Sequence, residues 1–393
     1  MVSPDVIVIG GGLIGLACAW RAAEHGLRVT VVDDAPGQGA SHVAGGMIAP
    51  VTEVSYGEEA LLRLTITSAR QWADFAADLE AAAGQDVNYR PDGMLLVGFD
   101  ADDARALKDL SSFQHELGLD VERLGSRECR RREPLLSPRV RAGLLAREDH
   151  QVDPRRVIAA LLRASEAAGV TVHPGRVARL DHDGNAVSGV VLEDGTSVAA
   201  PRVVLAAGCW SGRIEGLPSQ VAPPVRPVKG QVLGLRSLDG APMLEASVRG
   251  MVQGRPIYLV PRGDGRLVVG ATQEERGFDT TVTAGATRQL LDDAARVVPG
   301  VDELELTETI AGLRPGTPDN RPLIGPTPLE GLLLATGHHR HGVLLTPVTA
   351  QAITDHLVGD DPDPVVEVAD PTRPGLRAPA SATGSEVGAG RAT

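Results

Sequence analysis

Residues 5–33 constrain the fold more than any other stretch. "DVIVIG" (5–10) is a continuous apolar run, as in a strand buried on both faces. "LIGLACAWRAAEHG" (13–26) has helical periodicity and closes on Gly26, and "LRVTVVD" (27–33) is a second buried strand. The turn between strand and helix is Gly10-Gly11-Gly12-Leu13-Ile14-Gly15, and Asp33 follows Gly15 by 18 residues. A GxGxxG alone is weak. With a strand before it, a helix after it and an acid ending the next strand, it is a dinucleotide fingerprint. The glycines admit a pyrophosphate to the backbone, the helix N-terminus offers free N–H groups, and Asp33 can accept from a ribose hydroxyl, which disfavours a 2′-phosphate.

Composition narrows the rest. At 393 residues the chain predicts more than one domain, and a formal charge of −13 opposes binding to nucleic acid or anionic lipid. Three widely spaced cysteines, Cys18, Cys129 and Cys209, without a CxxC pair fit a reducing cytoplasm and exclude an evident iron–sulfur or structural zinc motif. The apolar start lacks the basic flank of a signal peptide, and no stretch is long enough to span a bilayer, so neither export nor a membrane is expected.

Further along, 58–83 and 101–118 read as helices and "GMLLVGFD" as a strand. Asp153 as N-cap with Pro154 behind it opens another helix, which Gly169 ends. Short strands and turns follow to 208, then a strand-dominated region, 222–310, carrying one helix at 285–297. "GLLLATG" and "VLLTPVTAQAITDHLVG" return to a buried strand and a helix beginning near Val343. The expected fold class is α/β, a Rossmann-like nucleotide-binding domain (1–85, 140–222 and 311–362) with an inserted sheet-rich substrate domain (86–139 and 223–310). The Pro/Ala/Gly-rich tail, 366–393, reads as disordered.

A single fingerprint, with the dinucleotide domain assembled from distant pieces, suits FAD better than NAD, and points to a substrate that itself reduces the flavin. The motifs "GASHVAGGMIAP", "VVLAAGCWS", "VRPVKGQVLGL", "IYLVPR", "GLRPGTPDNRPLIG" and "GHHRHGVLLTPVTA" resemble the D-amino acid oxidase superfamily of flavoproteins, most closely its bacterial glycine oxidase branch, over roughly 5–360. That resemblance implies FAD bound in a glutathione-reductase-type domain. It places Gly10, Gly12, Leu13, Ile14 and Gly15 at the pyrophosphate, Asp33 and Asp34 at the ribose, Ala40 and Ser41 on the cofactor, and Gly45, Gly46 and Met47 beside the flavin ring. Val177 would meet adenine, Gly208 would pass close by, and residues 338–344 (His338, His339, Arg340, His341, Gly342, Val343, Leu344) would offer N–H groups to the ring. No cysteine lies near 337–345, so the FAD is expected to be non-covalent.

The resemblance also assigns roles to Arg314 of "GLRPG", as the fork that grips a substrate carboxylate, to Tyr258 as a hydroxyl beside it, and to Arg340 on the substrate side. Gln273 is expected near the pocket. The implied chemistry is hydride transfer from a neutral amine's α-carbon to flavin N5, with no obligatory base. The helix near Val343, with Pro347 in its early turns, would stabilise the negative charge the reduced flavin gains. Substrates would be glycine, sarcosine, D-alanine and D-proline, with molecular oxygen as acceptor and hydrogen peroxide, ammonia or amine and keto acid as products. Supply of an imine for the thiamine thiazole and a homotetramer are further family expectations. A dehydrogenase with another electron acceptor is the alternative. The three histidines of "GHHRHG" raise a metal reading, but no HxxxH or nearby acid completes a set, and no metal is expected.

Overall fold

The computed structural model describes residues 3–376. The opening motif builds the centre of a six-stranded sheet. Strand Val6–Ile9 pairs in parallel with Val29–Val32 on one side and Val203–Leu205 on the other. Thr171–His173 and Leu332–Thr336 extend the parallel set, and Leu323–Pro326 closes it antiparallel. The continuous apolar run follows from burial on both faces. Val6 and Val8 pack into a core formed with helices Leu13–Glu24, Glu59–Ala83, Pro154–Ala167 and Thr346–Val358, while Ile7 and Ile9 pack with a three-stranded sheet, 177–199, on the opposite face.

The second sheet has eight strands, in the order Glu305–Gly316, Arg226–Arg236, Arg266–Gly270, Arg255–Pro261, Ser247–Val252, Met94–Gly98, Ala142–Ala146 and Glu122–Gly125. One face packs on helix Ala284–Val297 and the other on a smaller cluster under helix Ala101–Glu116. Period-two alternation decides which residue goes where: Leu95 and Val97 point to the first face, Leu96 to the second.

The structure moves several expected boundaries. Ala142–Ala146 pairs into the eight-stranded sheet, beside Met94–Gly98, rather than with the nucleotide-binding part, and the strand carrying Arg314 runs on to Gly316. Ser247–Val252, unread in the sequence, supplies another strand. The last long helix begins at Thr346, not near Val343, after a 3₁₀ turn at His339–His341. The beginning of the tail is ordered: Arg373 makes a bidentate pair with Asp319, donating at 2.9 Å to each oxygen, and Val366 and Leu376 are buried. The remainder of the expected disordered tail, 377–393, lies outside the described residues.

Candidate active site

The two sheets meet around a cavity of about 930 Å³, near the upper end of what small-molecule sites occupy. At one end helix Leu13–Glu24 presents its N-terminus through Gly12, Leu13 and Ile14. Gly12 brings no capping side chain; Ser41 stands in, its Oγ accepting from the Leu13 N–H at 3.0 Å. Asp33 also lines the wall, yet its oxygens already accept from Gly11 N (2.6 Å) and Ala35 N (2.7 Å), leaving part of its acceptor capacity for a ligand. Asp34 is tied to Arg176 at 2.7 Å. Gly208 sits at φ 53, where a Cβ would meet nothing within 4 Å, so its bare backbone faces open space. Gly10, Ala40, Ser41, Gly45, Gly46, Met47 and Val177 complete this part of the wall. A glycine-lined helix N-terminus opening on a cavity of this size, with acids at its far end, fits the diphosphate and ribose of FAD.

Three of the expected cofactor residues do not reach the cavity. Gly15 faces inward, where any Cβ would collide with the Gly10 carbonyl; it lets helix and strand cross closely. Leu344 is 1% exposed and its carbonyl accepts from Ser68 Oγ (2.7 Å) and Trp72 Nε1 (3.0 Å). His341 turns to the other side of its loop, toward Glu53, and its N–H donates to the His338 carbonyl at 3.0 Å. His338, His339, Arg340, Gly342 and Val343 do line the cavity. The three histidines are buried, and burial drives His338 and His341 down to about 3 and His339 to about 4, so all are neutral at pH 7. His338 Nε2 pairs with Thr349 Oγ1 at 3.0 Å. Among the described residues no group of three or more His, Cys, Asp or Glu could hold a metal ion.

Beyond the expected flavin-facing loop, the wall is built by the eight-stranded sheet. Tyr258 lies between Gly45 and Gly270, whose missing side chains leave room for its ring. Burial raises its phenol above the ordinary range, so it stays a donor. Arg314 lies within its strand, opposite Val228, and its guanidinium packs flat over Gly230 with one donation to the Thr272 carbonyl, 3.2 Å. No carboxylate of the described residues lies within 4.0 Å of it. Gln273 is exposed at the rim.

Glu58, Glu53, Arg249 and Asp149 were not legible in advance. Glu58 grips the Arg340 guanidinium through both oxygens and is itself held by Asn320 Nδ2 at 2.8 Å. Arg249, directly across the strand pair from Tyr258, donates to the Thr52 carbonyl (2.5 Å) and approaches Glu53 at 3.7 Å. Asp149, fully buried, accepts from Val51 N, Thr52 N and Thr52 Oγ1 at 2.6–2.9 Å and fixes that turn; burial outweighs these bonds and raises its carboxyl to about 6. The only hints were isolated acids in "VTEVSYGEE", and an arginine in a segment whose strand pattern was too irregular to read.

The family described as DAO, FAD dependent oxidoreductase, matches residues 5–356. The Synechocystis sp. bifunctional protein ThiO/ThiG is 34% identical over 371 residues, covering 94% of this chain but 54% of that protein, so the chain spans about half the length of this relative. Glycine oxidase of Geobacillus kaustophilus is 32% identical over 89% of this chain and 92% of that protein. The solved structure of glycine oxidase from the same organism superposes with a TM-score of 0.87 at 29% identity, covering 95% of this chain and 99% of that one. Hydrogen cyanide synthase subunit HcnC of Pseudomonas aeruginosa is 29% identical over 92% of this chain and 94% of that protein.

Proposed function

The chain belongs to the DAO family of FAD dependent oxidoreductases, and from that premise we propose that it oxidises glycine and other small amino acids, releasing hydrogen peroxide and the imine. The single observation that carries this reading is Arg314, a guanidinium on the cavity wall with no carboxylate partner within 4.0 Å among the described residues, beside a protonated tyrosine. Such a fork is made for both oxygens of a substrate carboxylate.

The glycine-lined helix N-terminus, Ser41, Asp33, His338, His339, Arg340, Gly342 and Val343 would hold FAD, which when bound would supply the two-electron acceptor for oxidation at the substrate α-carbon. Arg314 and the Tyr258 hydroxyl fix the carboxylate, which leaves the α-carbon as the part free to face the ring. No side chain need remove a proton if the amine binds neutral, and the neutral histidines around the loop match a site without a strong base. Water converts the released imine to the keto acid, glyoxylate from glycine, with ammonia; oxygen takes up the two electrons and becomes peroxide. Likeness to a ThiO/ThiG protein supports a supply of glycine's imine to thiamine thiazole synthesis. The cofactor is non-covalent, and a homotetramer in the cytoplasm is the proposed state; no helix of the described residues is long and apolar enough to cross a membrane.

The test is anaerobic mixing of the holoenzyme with glycine, sarcosine, D-alanine and D-proline. Flavin bleaching, followed by peroxide when air is admitted, is expected. No bleaching by any of the four would overturn the reading; bleaching without peroxide would replace oxidase by dehydrogenase.

A further inference from the structure

The cavity wall carries more arginine than one carboxylate can use, and the structure shows where the surplus charge goes. Arg340 is gripped by Glu58, with Ser55 Oγ at 3.3 Å as a further acceptor. Arg249 faces Glu53 at 3.7 Å. Arg213 lies 3.7 Å from the centre of the Phe278 ring. Arg314 alone combines an unstacked guanidinium with the absence of a carboxylate within 4.0 Å among the described residues. The two countering acids come from one loop, 49–58, between a short strand and helix Glu59–Ala83.

We propose that Glu58 and Glu53 are specificity-determining residues that restrict the pocket to amines bearing a single carboxylate, by occupying Arg340 and Arg249 before substrate arrives. The inference rests on the amino acid oxidase reading of the same site. Glu58 lies behind the cavity wall and Glu53 on it; both act through the arginines they face.

Substrate and protein carboxylates compete for the same guanidinium groups. A second substrate carboxylate could find a cation only by displacing Glu58 or Glu53, whose side chains are 17% and 10% exposed. The displaced glutamate would be left partly buried without a partner, beside the substrate's own negative charge. Glu58 is well fixed against that: Asn320 holds the same oxygen that Arg340 Nη1 approaches. Burial pushes its carboxyl upward, but the Arg340 hydrogen bond and charge outweigh that and hold it below the ordinary range, so it is ionised at neutral pH. Glu53 is enclosed in the same way, with Arg249 on one side and neutral His341 at 3.5 Å on the other. A monocarboxylate avoids the competition altogether, since Arg314 is free to meet it.

Sarcosine and iminodiacetate make a matched probe pair, N-methyl against N-carboxymethyl glycine, with anaerobic flavin reduction of the holoenzyme as the readout. Wild type is expected to favour sarcosine. Glu58→Gln should shift the sarcosine-to-iminodiacetate ratio of kcat/KM toward the dicarboxylate by about tenfold or more, Glu53→Gln should shift it in the same direction, and Glu58→Asp, which keeps the charge, should restore most of the wild-type ratio. A merely structural role would lower both values together and leave the ratio still. The proposal is overturned if wild type reduces equally well with both compounds, or if both glutamine variants leave the ratio within about twofold. Should a variant lose its flavin, wild-type dissociation constants for methoxyacetate and diglycolate, read from flavin absorbance, decide: comparable values overturn the proposal. The binding arm also separates this inference from the oxidase reading, because selection for one carboxylate would persist in a protein that no small amino acid reduces.

Discussion

Arg262 reaches from the eight-stranded sheet to the loop of Gly45. Its Nη2 donates to the Gly45 carbonyl at 2.7 Å, while Nη1 donates to Gln151 Oε1 at 3.0 Å and the Val152 carbonyl at 3.1 Å. The side chain is 2% exposed, and burial pulls its pKa down to about 10, still charged at neutral pH. The loop it holds has no slack: Gly46 sits at φ 82, where a Cβ would strike the Val152 carbonyl.

Replacing Arg262 by leucine therefore leaves two carbonyls and an amide oxygen buried without donors. The expected cost is roughly 2–4 kcal/mol of stability, read as a lower urea midpoint, with weaker FAD binding in a flavin titration. Arg262→Lys should recover little, because one ammonium cannot reproduce the fork. Full recovery by lysine would show that charge alone, and not the directed bonds, fixes the Gly45 loop.

The Arg314–Gly230 contact separates recognition from folding. A Cβ at Gly230 would stand 2.6 Å from Arg314 Cζ, at the movable end of a long side chain. Gly230→Ala is accordingly expected to keep its melting temperature within a few degrees while raising KM for glycine, because Arg314 must swing aside. Arg314→Ala should raise the same KM further, by roughly 30- to 1,000-fold for a loss of about 2–4 kcal/mol, with FAD affinity little changed. An unaltered KM in Arg314→Ala would remove that residue from the site.

What the sequence disclosed follows the range of the interactions involved. The double-faced strand Val6–Ile9, the glycine turn and the Asp153 cap are local patterns; the structure has Asp153 Oδ1 accepting from Arg155 N at 3.0 Å and Arg156 N at 3.4 Å. Ser247–Val252 escaped because Arg249 and Gly250 interrupt its apolar pattern, and Gly250 is small for a reason outside the strand: a Cβ there would press on Val297 of the covering helix at 2.9 Å. The ordered start of the tail escaped because a single side chain, Arg373, anchors a stretch whose composition looks unable to fold. Glu58 and Arg340 are 282 positions apart. The sequence placed Arg340 on the substrate side, and only the folded chain shows it already engaged by Glu58.

The loop histidines set an acid limit to stability. His338 and His341 are held near 3 and His339 near 4 in the fold, against about 6.5 in an unfolded chain. The folded-state values are depressed, so the unfolded state binds more protons between those limits. The stability these groups provide is complete above about pH 6.5 and is lost as pH falls toward 3–4. Asp149, raised to about 6, works the other way between its unfolded value of 3.8 and 6 and blunts the slope. His338→Asn should reduce the pH dependence of the unfolding free energy by about 1.4 kcal/mol per pH unit between pH 4 and 6. An unchanged slope would mean that His338 is not buried neutral.

Cys209 lines the cavity, although it lies far along the chain from the 337–345 loop. Attachment of a flavin through sulfur needs a thiolate. Burial pushes the Cys209 thiol up to about 12, and its Sγ–H donates to the Leu313 carbonyl at 3.2 Å, pointing the sulfur at the strand that carries Arg314. Cys18 is likewise buried at about 12, and Cys129 is raised to about 11 in the core of the other sheet. None is poised as a nucleophile at neutral pH. Acid precipitation of the holoenzyme should then leave a colourless pellet and all the FAD absorbance in the supernatant. Yellow colour retained in the pellet, and lost in Cys209→Ser, would establish a covalent link that the buried thiol argues against.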